Sequence, residues 1–259
     1  MGIRDEFDSS KKHMLTTKQF VSKKKGVTIT LVELTLDNVS KVEAMIRNDS
    51  SYVKSFDKNA KPTKNKNRKE VYSGSTAYWM TKLKYIIEDK ECNFTYEYII
   101  PKVVRSIDRE NSTHLNSDGC GIGEISKRII DLGKDKLIDS LKKGDLEVFK
   151  EIQRVTVPNK NGDKKYKGRK NTSFASKFCH YASFFLFEDD ELRDKYSIYD
   201  NVIDSVLPYY MEMYGVDNSE PLTDYSVYRK VIDSIRGTTE DKISRNGFDH
   251  LLWYYHKGR

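Results

Sequence analysis

The stretch Ser173–Asp200 reads SFASKFCHYASFFLFEDDELRDKYSIYD. From Ser173 to Phe187 nearly every residue is aromatic or small, and one lysine, Lys177, sits one turn in. The pattern predicts a helix from Phe174 to about Phe187, capped by Thr172 or Ser173. Phe174 and Tyr181 stand at i−3 and i+4 from Lys177 and share its face. A lysine amine among aromatic rings loses solvation, so its pKa falls and it becomes a usable nucleophile near neutral pH. Ile198–Tyr199 then places an apolar pair directly before Asp200, and burial of that pair draws the carboxylate to the edge of a core. The plainer readings are a solvent-facing Lys177 and an Asp200 that caps the helical segment starting at Val202.

Working outward, helical spacing of apolar residues recurs over Ile198–Tyr214, Tyr225–Arg236 and Asp241–Tyr255. Upstream, Glu124–Leu132, Asp135–Leu141 and Asp145–Val155 read as short helices separated by Gly133 and Gly144. Ser117–Gly123 reads as a turn. Ser73–Glu88 and Tyr96–Ile107 read as helices, with Pro101 as the start of one. Val27–Leu36 alternates and is β-branched, predicting a strand. A helix capped by Asp37 or Asn38 follows to about Arg47. Residues 1–25 read as a loose polar arm. The expectation is a mostly α protein with a small N-terminal β element. It divides into an N-terminal helical or mixed region, 1–116, and a helical region, 117–259, or folds as one continuous globular unit.

The chain has 259 residues, with 17 Tyr, 11 Phe and 2 Trp to build a core, so whole-chain disorder is excluded. No apolar run is long enough to span a bilayer, and the charged first twelve residues do not read as a secretory signal. Cys92, Cys120 and Cys179 are odd in number and far apart, which fits a reducing cytoplasm better than a disulfide framework. No zinc or iron–sulfur motif is present. The net charge of +7 is unevenly placed. Between residues 54 and 69, seven basic residues against one aspartate give +6; between 154 and 177, eight against one give +7. Between 188 and 224, eleven acids against two bases give −9. Both basic segments read as loops suited to a phosphate backbone, or as solubilising loops. Lys64, Lys66 and Arg68 in the first, and Lys164, Lys165, Lys167, Arg169 and Lys170 in the second, are the candidate DNA contacts.

Lys177 and the following Ile-Tyr-Asp step resemble the helix–hairpin–helix DNA glycosylases, in particular the 8-oxoguanine glycosylase branch. That family sets a catalytic lysine at the start of the second hairpin helix and an aspartate at a comparable distance downstream. Its hairpin reads Gly-hydrophobic-Gly, one residue, Lys. The matching positions here are Ser173, Phe174, Ala175, Ser176 and Lys177, which keep small–large–small but neither glycine. The resemblance spans roughly residues 117–259. It implies a helix–hairpin–helix glycosylase-like fold acting on double-stranded DNA that carries a damaged or modified base, with no metal or organic cofactor. Lys177 would attack the sugar C1′ and form a Schiff base, with Asp200 stabilising the oxocarbenium-like sugar. By the same analogy Tyr181 and Trp253 would sandwich the extruded base and Asp249 would accept hydrogen bonds from its edge; the plainer reading of Tyr181 and Trp253 is as core residues.

Three further readings stand beside this one. The same fold could bind nucleic acid without chemistry. The acidic run Glu188–Glu191 could hold a divalent metal in a nuclease, although four consecutive acids point in different directions on any regular element. Gly121-Ile122-Gly123, followed by Lys127, is a second candidate hairpin, read as a turn or a further backbone contact.

Overall fold

Two segments, 172–186 and 245–256, are buried on nearly every face, and each needs neighbours all round it. The computed structural model of the chain describes residues 13–48, 58, 74–111, 113, 115, 120–155 and 171–257. Among these, residues 58–196 form one compact unit, and 13–48 with 197–257 form the other. In chain order the elements are β1 (Thr17–Ser22), β2 (Val27–Val32), α1 (Leu36–Asn48), α2 (Thr76–Ile87), α3 (Tyr96–Asn111), α4 (Cys120–Leu132), α5 (Lys134–Lys143), α6 (Glu147–Gln153), α7 (Thr172–Leu186), α8 (Asp190–Arg193), α9 (Asn201–Met213), α10 (Tyr225–Thr238) and α11 (Arg245–His256). The fold is mostly α with one two-stranded antiparallel sheet near the N-terminus, as the sequence predicts. No described helix is long and apolar enough to cross a membrane.

In the first unit α7 is the central element, and α2, α3, α5, α6 and α8 all pack on it. Phe174, Ala175, Phe178, Cys179, Ala182 and Leu186 supply its buried apolar surface. Gly144 ends α5 in the left-handed region (φ 66°), where its N–H reaches the Leu141 and Ser140 carbonyls; this is the glycine stop read from the sequence. Pro101 does not begin a helix but occupies the sixth position of α3. A proline there removes one backbone bond and crowds the Glu97 carbonyl, at a cost of about 3 kcal/mol. Ile99, Ile100, Val103, Val104 and Ile107 are fully buried along the same helix, and at about 1.5–3 kcal/mol each they outweigh that cost. Gly121–Gly123 is likewise not a turn but the first turn of α4. The division expected between residues 116 and 117 lies outside the described residues; Thr113 and Leu115 before it and α4 after it belong to the same unit.

The second unit joins the two ends of the chain. β1 and β2 pair antiparallel, from Thr17 opposite Val32 to Ser22 opposite Val27. Gly26 closes the connection at φ 65° and donates to the Ser22 carbonyl at 2.8 Å. β1 lies inside the stretch read as a loose arm: four of its six residues are exposed, so it shows no apolar face of its own and exists through pairing. From α9, the Glu212 carboxylate accepts from Ser22 Oγ and Lys23 N, both at 2.6 Å, and holds the hairpin turn. Tyr210 Oη accepts from Val32 N and donates to Val32 O, both at 3.1 Å, and lies 2.9 Å from His256 Nε2. Helix α1 begins at Leu36, ahead of both expected caps: Thr35 Oγ1 accepts from Asn38 N at 3.2 Å. The Asn38 side chain instead accepts from Thr16 N and donates to Glu33 O, tying the strand ends together. α11 is the central helix here, packed by α1, α9, α10 and β2.

Enclosure of α7 sets a clear stability expectation. Phe178→Ala should lower the stability of the protein by about 3–5 kcal/mol, through lost burial and the cavity left behind. Val21→Thr, on an exposed position of β1 (64% exposed), should stay within about 0.5 kcal/mol. Urea midpoints for the two variants against wild type check both.

Candidate functional site

Helix α7 starts at Thr172, so Ser173–Ser176, the residues matched to the glycosylase hairpin, form its first turn. Asn171 occupies the N-cap position with no side-chain cap bond; its Nδ2 donates across to the Val155 carbonyl. Gln153 Nε2 donates to Thr172 Oγ1 at 2.9 Å. These bonds bring the end of α6 and the start of α7 together, so residues 155 and 171, the described ends of the second basic segment, lie side by side. Lys164, Lys165, Lys167, Arg169 and Lys170, and Lys64, Lys66 and Arg68 of the first segment, lie outside the described residues.

Lys177 is only 2% exposed, which excludes the solvent-facing reading. Its Nζ donates to Ser173 Oγ, one turn back, at 2.8 Å. The Phe174 and Phe178 rings stack 6.5 Å apart beside it in sequence. Tyr181, one turn on, is half-buried, and its hydroxyl donates to Asn111 Oδ1 at 3.0 Å. The buried His180 places Nδ1 3.0 Å from the Tyr196 carbonyl. Tyr196 in turn donates to the Asp145 carbonyl at 2.7 Å. Neither Ser173 nor His180 stands out in the sequence as a site residue. Ser173 is legible in the sequence as a helix cap or a hairpin position, not as the partner of Lys177.

The acidic run serves separate partners. Glu188 pairs with Lys84, which holds its carboxyl below the usual range. Asp189 caps α8 through Leu192 N at 3.0 Å. Asp190 lies 3.6 Å from Arg193, and Glu191 lies 2.6 Å from Lys195. The four carboxylates diverge, as the sequence argument requires.

Asp200, Asp249 and Trp253 belong to the second unit, whereas Lys177 and Tyr181 belong to the first. Residues 198–200 precede the helix rather than begin it as the Ile198–Tyr214 reading expects, and Asp200 is extended (φ −133°, ψ 140°) before α9, as the capping reading of Asp200 requires. Asp200 is buried and caps α9, its Oδ1 accepting from Val202 N at 2.9 Å. Tyr225 donates to the Ser197 carbonyl at 2.5 Å and Tyr228 to the Ile198 carbonyl at 3.0 Å. Asp249, also 2% exposed, accepts from Ile198 N through Oδ2 at 2.6 Å. The Tyr199 ring lies 4.9 Å from that of Tyr228. Burial pushes the Tyr228 phenol well above its ordinary value, and the nearby charges of Asp249, Asp200 and Asp204 push it further. Tyr228 and Asp249 thus hold the two polar groups of Ile198, two residues before Asp200. Trp253, one turn after Asp249, is half-buried with Lys257 Nζ 4.6 Å over its ring. The sequence reading passed over Tyr225 and Tyr228; their three-residue spacing in an apolar helix was the available signal.

Residues 35–189 match a family model described as HI_0787_N, N-terminal domain. No curated protein and no solved structure matches the chain. The matched residues run from α1 into the acidic stretch and include Lys177 and Tyr181, but end before Asp200.

The Tyr228 environment predicts alkaline lability. A phenol whose folded pKa lies above its unfolded value contributes stability that is complete below about pH 10 and is lost as pH rises from there through the folded value. The urea midpoint should fall above about pH 10. Tyr228→Phe should lessen that slope by up to about 1.4 kcal/mol per pH unit, one proton's worth. An unchanged slope would remove the phenol from the account.

Proposed function

The chain belongs to the HI_0787_N family, N-terminal domain; on the residues around Lys177 we propose that it is a DNA glycosylase with Schiff-base lyase activity. The observation that carries the reading is Lys177: an amine 2% exposed, on the central helix of its unit, held by a hydroxyl one turn away. Burying a lysine is costly, and nothing in the packing of a helix demands one; a buried ionisable group in such a place supports a chemical role. The helix–hairpin–helix resemblance around Lys177 and Asp200 supports the same role.

In this reading the enzyme grips double-stranded DNA through the basic segments and turns a damaged or modified base out of the stack. The neutral Lys177 amine attacks C1′. The glycosidic C–N bond breaks, the base leaves with its bonding electron pair and takes up a proton, and the sugar ring opens to give the Schiff base between Lys177 and C1′. Loss of the C2′ proton then permits β-elimination of the 3′ phosphate. Asp200 supplies negative charge that stabilises the oxocarbenium-like sugar. Tyr181, one turn after Lys177 on the same helix, provides a ring for the extruded base. A cytoplasmic location, in keeping with three cysteines that are odd in number and far apart in the sequence, completes the proposal.

Borohydride reduction should trap a covalent adduct between the protein and a duplex carrying the right lesion. Lys177→Gln should abolish trapping with DNA affinity and far-UV circular dichroism retained. Asp200→Asn should slow base release by about 10²–10⁴-fold. Absence of both trapping and base release across a broad panel of damaged and modified duplexes would overturn the enzyme reading and leave a DNA-binding protein of the same fold.

A further inference from the structure

Four residues outside helix and strand, Ser197–Asp200, the last of them extended, lead into α9 in the second unit. Buried backbone outside helix or sheet has no ladder to satisfy it, and its N–H and C=O groups need side-chain partners. Here three side chains meet that need. Tyr225 takes the Ser197 carbonyl, Tyr228 the Ile198 carbonyl, and Asp249 the Ile198 amide. The Ile198 residue is thus held at both of its polar groups, by α10 on one and α11 on the other.

This is an expensive way to build a connection. A carboxylate buried to 2% exposure is among the least favourable groups to enclose. Continuing α9 backwards over residues 197–200 would satisfy much of the same backbone without burying it. What the extended step achieves, and a longer α9 would not, is to make Asp200 the N-cap. Its carboxylate is then fixed at the helix N-terminus, with Val202 N–H on Oδ1 and φ, ψ in the extended region.

We propose that Asp249, Tyr228 and Tyr225 are positioning residues for Asp200, a latch that fixes the Ser197–Asp200 step and through it the carboxylate. The inference rests on the reading of Asp200 as a functional residue, and it reassigns Asp249: its carboxylate is used on the Ile198 amide and does not read the base edge.

The latch can be tested without catalysis. Amide hydrogen exchange by NMR should show Ile198 N–H and Val202 N–H protected in wild type. In Asp249→Ala, and more so in Asp249→Ala with Tyr228→Phe, both should exchange about tenfold faster or more, while amides in the interior of α10 stay within about twofold. Unchanged Val202 protection in the double variant would mean that the latch does not hold Asp200 and would overturn the inference, whatever the enzyme does. Asp249→Asn keeps an acceptor oxygen for Ile198 and should restore both protections.

On a duplex that wild type processes, Asp249→Ala should lower the single-turnover rate by about 100-fold, with the Kd for DNA within about twofold. Asp249→Asn should recover most of that rate with the same lesion preference. A base-reading carboxylate gives the other outcome, in which Asn changes which lesion is excised. A wild type that excises nothing would remove the glycosylase reading, and the exchange measurement alone would then decide whether the latch exists.

Discussion

A helix buried on every face cannot be satisfied by one partner, and this requirement organises the first unit. With Phe174, Phe178, Cys179 and Ala182 all buried, α7 needs neighbours around its whole circumference, and α2, α3, α5, α6 and α8 supply them. The same enclosure determines what its polar residues can do. Lys177 finds Ser173 on its own helix, His180 finds the Tyr196 carbonyl, and Tyr181 reaches Asn111 on α3. In an exposed helix such contacts would compete with water at little net gain. Inside the unit each replaces water outright, so each fixes a side-chain position.

The second unit follows the same rule with different chemistry. Its enclosed helix, α11, carries Asp249, and its neighbour α9 carries Tyr210 and Glu212. These polar groups face backbone: Asp249 the Ile198 amide, Tyr210 both polar groups of Val32, Glu212 the hairpin turn. Side chains of α9 and α11 thus hold the hairpin at the start of the chain and the step at residue 197, two of the places where this unit departs from helix.

Much of this was legible in the sequence because it is local. The all-round apolar character of 173–187, the glycine stops at 133 and 144, and the helical spacing of 225–236 are each contained in a dozen residues, and the helices fall where they indicate. What was not legible depends on partners far along the chain. β1 has only Phe20 and Val21 as apolar residues and is a strand because β2 lies beside it. Pro101 sits inside α3 because burial of that helix outweighs a local rule. The Ser197–Asp200 step looks like helix in sequence and is extended because residues at 225, 228 and 249 hold it so. At the site the same division holds: Lys177 and the capping role of Asp200 were readable from their neighbours, whereas Ser173, Tyr225 and Tyr228 matter through what they touch.

The charge distribution gains meaning from the bonds at the base of the second basic segment. A long cationic loop on its own says only that anions are attracted. Here Asn171 is bonded to the Val155 carbonyl and Gln153 to Thr172, so the segment leaves and re-enters the fold at adjoining points at the start of α7. The described ends of the segment therefore adjoin at the junction of α6 and α7, six residues before Lys177 along the chain, a placement that a count of charges alone does not give.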